Sequence, residues 1–143
     1  MINRKDVHED LTSRLGASLA GVGLPAQAVY GYKKKDFQGQ SPVVLCLSGG
    51  SNRPLMTARG SRAEFAFEIW LLALYSDRQG SYYEKDAEDT LDTCEYALAQ
   101  VVDNFRGPQR SAAYAGASTI ANLVIGGDTY MWEMVPVTIL ADG

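Results

Sequence analysis

Few residues in this chain have types and spacing suited to catalysis. His8 is the only histidine, so no serine–histidine–aspartate set can be assembled with confidence. It lies one residue from an apolar helical stripe, which is typical of a surface or boundary histidine. Glu64 and Glu68 share a predicted strand face, where two carboxylates could act as acid and base. A solvated strand end or polar contacts at an interface suit them better. We predict no catalytic residues and expect that the chain is not an enzyme.

The two cysteines, Cys46 and Cys94, fall at apolar positions of a predicted strand and a predicted helix. This placement favours small buried thiols in a reducing compartment over a disulfide. Their spacing does not match a metal site, so we predict no metal ligands and no cofactor.

Charge and hydropathy limit the classes of partner. The net charge is −4 and the pI is about 4.9, which gives no reason to expect free DNA or RNA binding as the main activity. The N-terminus is charged and lacks an apolar segment, so we expect no signal peptide. The longest apolar run is too short to span a bilayer as a helix. We therefore expect a soluble protein made in the cytoplasm.

Residues 48–62, SGGSNRPLMTARGSR, show no periodicity and predict a long loop. Long loops without structure are unusual in compact domains and often have a function. This one lacks the lysine and the following helix of a phosphate-binding loop. We interpret it instead as an extended arm that carries Arg53, Arg59 and Arg62 to a partner, because arginine pairs well with carboxylates at interfaces.

Hydrophobic periodicity predicts two helices and five strands in the order α-β-β-β-α-β-β. The helices are expected at 4–22 and from a capping box at Ser81 to Gly107. The predicted strands are 26–32, 42–47, 63–76, 118–125 and 130–140, with a hairpin turn at 126–128, a loop at 110–116, and Pro136 marking an edge position or a bulge. We expect one α+β domain over 1–143: a mainly antiparallel sheet of four to five strands with two helices on one face.

The central strand and the last strand are apolar on both faces, although two helices cover only one. The residues expected on the uncovered side are Trp70, Leu72, Leu74, Tyr130, Trp132 and Met134. Large exposed apolar patches are rare on monomers, so we predict that these residues form an oligomer interface. The alternative is a curled sheet that folds its second face onto loops.

The same element order resembles that of the tail terminator proteins of long-tailed bacteriophages, with the related head–tail joining (neck) proteins and their prophage or tailocin counterparts. The resemblance covers nearly the whole chain. It rests on an N-terminal helix, a strand pair joined by SGGSNRPLMTARGSR, the strand AEFAFEIWLLALYS leading into an amphipathic helix, and the closing hairpin LVIGGDTYMWEMVPVTIL.

The resemblance implies a structural virion protein, made in the host cytoplasm, that forms a hexameric ring. Such a ring caps the tail tube, stops its polymerisation, contacts the tail tube protein and the neck or connector protein, and lets genomic DNA pass without specific binding. It implies no catalytic residues and no membrane. A head-completion protein on the portal side is the alternative within this class. A small-ligand-binding α+β domain, with a polar pocket among Glu64, Glu68 and the 48–62 loop, is the alternative outside it.

Overall fold

The computed structural model describes residues 3–52, 62–76, 84–107 and 110–142. Within these ranges the chain forms two helices and seven strands. They are α1 (Arg4–Leu19), β1 (Ala28–Tyr30), β2 (Val43–Asn52), β3 (Arg62–Ser76), α2 (Glu84–Asn104), β4 (Arg106–Gly107), β5 (Arg110–Tyr114), β6 (Thr119–Ile125) and β7 (Asp128–Asp142). The α+β class and the predicted order of the main elements are confirmed.

The strands form one curled, mostly antiparallel sheet in the order β1-β2-β3-β7-β5-β4, with β6 also paired to β7. Among the described strands, only β1 and β2 pair in parallel. The long strands β3 and β7 pair from Thr129 to Asp142 of β7. The other edge of β7 is divided, because β6 pairs with its first half and β5 with its second half.

Both helices pack on one face of this sheet, as predicted. The stripe of α1 is buried because its apolar residues recur every four positions. The buried residues of this face are Val7, Leu11, Leu15 and Leu19 of α1, Leu91, Cys94, Leu98 and Val102 of α2, and Phe65, Phe67, Ile69, Leu71, Val135, Val137 and Ile139 of the sheet. This layer is the main core.

The first helix ends earlier than its periodicity predicts. Asn3 caps its start by accepting a hydrogen bond from the Lys5 amide at 2.8 Å. At the other end, Ala26 donates to the carbonyl of Leu19 at 2.7 Å, and Gly21 adopts φ +134°. The chain therefore leaves the helix after Leu19, and Val22, expected on the stripe, is exposed.

Two segments predicted as loops are strands. The predicted 48–62 loop starts too early, because β2 continues to Asn52 past a bulge beside Gly50. The bulge brings two backbones close together, since a Cβ on Gly49 would lie 3.3 Å from the Ala66 carbonyl oxygen, which is a tight contact. The predicted 110–116 loop contains β5, whose small residues gave no periodic signal but pair with β7. The capping-box serine, Ser81, lies outside the described residues.

Pro136 lies neither on a free edge strand nor at a bulge, so that expectation is wrong. It pairs with Glu68 of β3 inside the sheet. Its carbonyl accepts a hydrogen bond from Ala115 at 3.0 Å, so its missing N–H faces the same side, toward the β5–β6 connection. Pairing with β6 stops at Met134 and pairing with β5 starts at Val137. Proline is tolerated because it occupies the gap between two neighbouring strands.

The segment 31–42 folds over the sheet face opposite the helices. Phe37 is buried at its centre, edge-on to Tyr130 and stacked on Tyr30, with ring centroids 6.0 Å away in each case. The Tyr130 hydroxyl donates to the Gln40 carbonyl at 3.1 Å, and the Leu74 amide donates to Ser41 Oγ at 2.8 Å. The segment is thus fixed by one aromatic anchor and by hydrogen bonds.

The hairpin turn between β6 and β7 packs against this segment. Gly126 and Gly127 both have positive φ, at 62° and 87°, which suits a two-residue hairpin turn. A Cβ on Gly126 would lie 2.6 Å from the Asp36 side chain. This close approach is a second reason, in addition to the turn conformation, for a glycine at position 126.

The predicted uncovered face is therefore partly covered within the chain. Leu72 and Tyr130 are fully buried in a second apolar cluster with Phe37, Val43 and Leu45. For these residues the expectation of an uncovered side is wrong, and the alternative of a curled sheet folded onto a loop is correct. Sequence did not show this, because segment 31–42 carries a single buried apolar residue among polar ones.

We predict that Phe37→Ala destabilises the protein by about 3 kcal/mol, because it removes the only large apolar anchor of the 31–42 segment. Tyr96→Ala is the matched control, since that ring is 70% exposed on α2 and should change stability by less than about 0.5 kcal/mol. Urea unfolding measures both. Equal losses of stability in the two variants would show that segment 31–42 does not stabilise the sheet face opposite the helices.

Candidate interaction surface

On the sheet face opposite the helices, the residues that segment 31–42 does not bury are half-buried. Trp70 and Trp132 are the two tryptophans of the chain, and their rings meet edge to face with centroids 5.3 Å apart. Met134 pairs directly with Trp70. We call Glu68, Trp70, Trp132 and Met134 the tryptophan patch. All four belong to β3 and β7, so the long ladder of these strands fixes their positions.

Charged groups lie within this patch and beside it. Glu68 accepts a hydrogen bond from Trp70 Nε1 at 3.2 Å. Lys33 Nζ lies 4.5 Å from the centre of the Trp70 ring, and Lys34 Nζ lies 3.8 Å from that of Tyr30. Such cation–π contacts contribute about 0.5–1 kcal/mol at exposed sites. The three lysines expected as a solvated turn are exposed, but two of them lie over aromatic rings.

Trp132 carries an unsatisfied donor. Its Nε1 is buried and has no hydrogen-bond partner among the described residues. A buried donor without a partner costs about 1–3 kcal/mol, and such groups are few in folded proteins. An acceptor reaching this nitrogen would remove that cost.

The free edge of β6 adjoins the tryptophan patch. Within the described ranges β6 pairs only with β7, and Ala121 lies opposite Trp132. Its sequence, TIANLVI, has no charge and no proline. Ile120 is 57% exposed and Val124 is 67% exposed. Natural proteins usually protect free edges with lysine, proline or a bulge, so this unprotected edge is suited to pairing with another strand.

The predicted interface residues divide into two groups. Trp70, Trp132 and Met134 are half-buried and lie together, whereas Leu72 and Tyr130 are inside the chain's own core. Leu74 is half-buried and packs against the second apolar cluster, which contains Phe37. Their role in an oligomer remains a prediction.

Most of the arginines predicted to bind a partner lie outside the described residues. Arg53 and Arg59 lie outside the described residues. Arg62 begins β3 and pairs with Asp142, but its side chain is not described. Residues 53–61 of the loop that was expected to line a polar pocket also lie outside the described residues.

Glu64 and Glu68 do share the face opposite the helices, as predicted, and both are half-buried. They are four residues apart on one strand, so their backbones are about 13 Å apart. Glu68 accepts a hydrogen bond from Trp70, so its carboxylate is held beside the tryptophan rather than toward Glu64.

His8 is not at the surface, so that expectation is wrong. It is 6% exposed, stacked on Phe67 with ring centroids 5.8 Å apart. Its Nε2 lies 2.7 Å from the Cys46 carbonyl oxygen, so this nitrogen must donate. Pairing of β1 with β2 stops at Leu45, and the imidazole satisfies the next carbonyl. His8 therefore has a structural role at the end of β1.

Both cysteines are free and buried, as predicted. Burial raises the pKa of the Cys46 thiol to about 11. Burial, followed by the charge of Glu133, raises the pKa of the Cys94 thiol to about 11. Both thiols stay protonated at neutral pH and are poor nucleophiles.

Sequence reasoning missed the buried carboxyl of Glu133. It is 2% exposed beneath α2, and burial, with nearby Glu95 and Asp92, raises its pKa to about 7. The available signal was a glutamate at an apolar position, between Met131 and Val135 of β7. A charged residue at such a position requires a polar partner.

Comparisons with known proteins give no assignment: no protein-family model matches the chain, and no curated protein matches its sequence. Among the residues that the structure describes, no three His, Cys, Asp or Glu side chains form a group able to hold a metal ion. No helix in the described ranges is long and apolar enough to cross a membrane.

The two tryptophans should respond differently to replacement by phenylalanine. Trp70→Phe removes the hydrogen bond to Glu68 and weakens the contact with Lys33, so we expect a loss of about 2 kcal/mol. Trp132→Phe also removes an unsatisfied donor, which offsets its lost volume and leaves stability within about 1 kcal/mol of the native protein. Urea unfolding compares them. A larger loss for Trp132→Phe would mean that its Nε1 has a partner.

Proposed function

We propose that the protein is a structural virion protein that forms a hexameric ring at the end of a phage tail tube. The ring caps the tube, stops its polymerisation and joins the tail to the neck. The resemblance in element order motivates the choice of family. The observation that carries the assembly part of the proposal is the uncharged free edge of β6 beside the tryptophan patch.

This surface has the physical properties that a subunit contact needs. A strand added to β6 would satisfy its free backbone groups and cover Ile120 and Val124. The neighbouring tryptophans supply large apolar side chains, which dominate the energies of protein interfaces. The β6 edge contacting a different surface of the next copy is a heterologous contact, and such contacts close into rings when the rotation permits.

The remaining parts of the proposal follow from charge and from the predicted arm. A net charge of −4 suits a ring through which genomic DNA passes without specific binding. Arg53, Arg59 and Arg62 remain the proposed contacts to the tail tube protein or to the neck protein.

We predict that the double variant Ile120→Lys, Val124→Lys prevents ring formation, because it places two charges on the proposed contact edge. The protein is co-expressed with a phage tail tube protein, and native mass spectrometry and electron microscopy record rings and tube lengths. The native protein should form hexamers that cap short tubes, whereas the variant should leave tubes long and uncapped.

Tyr96→Lys is the matched control, since it adds a charge to an exposed aromatic position on α2 away from β6. It should cap tubes normally, and circular dichroism should show all three proteins folded. Native protein that stays monomeric with tubes present, or a double variant that caps them fully, would refute the proposed assembly.

A further inference from the structure

Three consecutive lysines, Lys33, Lys34 and Lys35, lie exposed on segment 31–42. We call them the lysine strip. In a chain whose net charge is −4, they form a local positive surface on the sheet face opposite the helices. The function proposed above gives their charges no role.

Two of these lysines are held in place by aromatic rings. Lys33 Nζ lies 4.5 Å from the centre of the Trp70 ring, and Lys34 Nζ lies 3.8 Å from that of Tyr30. Tyr30 and Trp70 both pair with Leu45, one from each side. Their strands are therefore separated by one strand and lie about 10 Å apart. The two ammonium groups are spread across the sheet.

The positive charges of the strip are not neutralised by the chain itself. Among the described residues none of the three lysines forms an ion pair, because the salt bridges there join other side chains. Two carboxylates of the same region are bonded elsewhere. Asp36 accepts from the Gln38 amide at 2.7 Å, and Glu68 accepts from Trp70 Nε1 at 3.2 Å. The strip thus keeps its charges for solvent or for a partner outside the chain.

This arrangement favours an extended polyanion. Two ammonium groups held over rings in different strands suit a molecule with many charges along its length better than one small anion. Double-stranded DNA is such a molecule, with one negative charge for about every 1.7 Å of its axis. Lysine contacts phosphate as a compact, hydrated point charge, without the fixed geometry of an arginine pair. Contacts of this kind carry no sequence information and let DNA move along the protein.

We infer that the lysine strip is a DNA-facing surface that contacts the phosphate backbone without regard to sequence. The rings beneath Lys33 and Lys34 already orient the ammonium groups, so less side-chain freedom is lost on binding. In the proposed hexamer the strip repeats as a basic band, and for this setting the inference rests on the proposed function. The contact itself belongs to the single chain and is measured there.

Binding of a DNA duplex to the monomer tests the inference. Fluorescence anisotropy records the dissociation constant at a protein concentration where native mass spectrometry shows monomers. If three lysines contact phosphates, the affinity should fall by about fortyfold between about 25 and 100 mM salt. The double variant Lys33→Gln, Lys34→Gln should bind at least about tenfold more weakly at the lower salt concentration, and its affinity should fall by only about fourfold over the same range.

The matched control is the double variant Lys85→Gln, Arg106→Gln, which has the same net charge. Both side chains are exposed. Lys85 belongs to α2 on the other face of the sheet, and Arg106 belongs to β4 at the end of the sheet opposite β1. This variant should keep the affinity of the native protein within about threefold, because salt screens charges that lie far from the bound DNA.

Nuclear magnetic resonance locates the contact without any substitution. When the duplex is added to the native protein, the amide signals of residues 32–36 and the indole N–H signal of Trp70 should shift, whereas those of α2 should not. Poly-glutamate of the same total charge is the comparison ligand. It should bind more weakly than the duplex, because its lower charge density condenses fewer counterions for the lysines to release.

Native protein that does not bind the duplex at about 25 mM salt, equal losses in the two double variants, or shifts confined to α2 would overturn the inference. Poly-glutamate that binds as tightly as DNA would also overturn it and would point to an acidic protein as the partner. Because these measurements use the monomer, the DNA contact can fail while hexamers still cap tubes, and it can be present when no ring forms.

Discussion

The structure depends on the antiparallel ladder between β3 and β7, because this ladder is apolar on both faces. Both strands contain 15 residues, and their pairing extends over nearly their full length. Strands that are apolar on two faces require cover on both sides. The two helices cover one face completely. The 31–42 segment covers part of the other face, and within the described residues the tryptophan patch beside β6 is only half-buried.

Two polar side chains among the described residues are buried on the helix face. His8 donates to a strand carbonyl that β1 does not reach, so this hydrogen bond completes the edge of β2. Glu133 is 2% exposed, and its burial raises the pKa of its carboxyl to about 7, so the core favours the neutral form of this group.

Periodicity predicted the fold class, both helices and the long strands, because these features are local. It did not predict β5, whose small residues gain their strand conformation only by pairing with β7. It also placed His8 at the surface, since one-residue offsets from a helical stripe do not show where a side chain reaches. Of the residues expected on an uncovered face, Trp70 and Trp132 are half-buried, whereas Leu72 and Tyr130 lie inside the core. Their cover comes from Phe37, more than 30 residues from either residue along the chain, a tertiary contact without a local signal.

We propose that another subunit adds to the sheet at the edge of β6 beside the tryptophan patch, which is free among the described strands. Amide hydrogen exchange of β6, measured in the monomer and in the ring assembled on tail tubes, tests this directly. The β6 amides facing away from β7 should exchange rapidly in the monomer and become protected in the ring. Exchange in β6 that is unchanged by assembly would show that β6 is not the subunit contact.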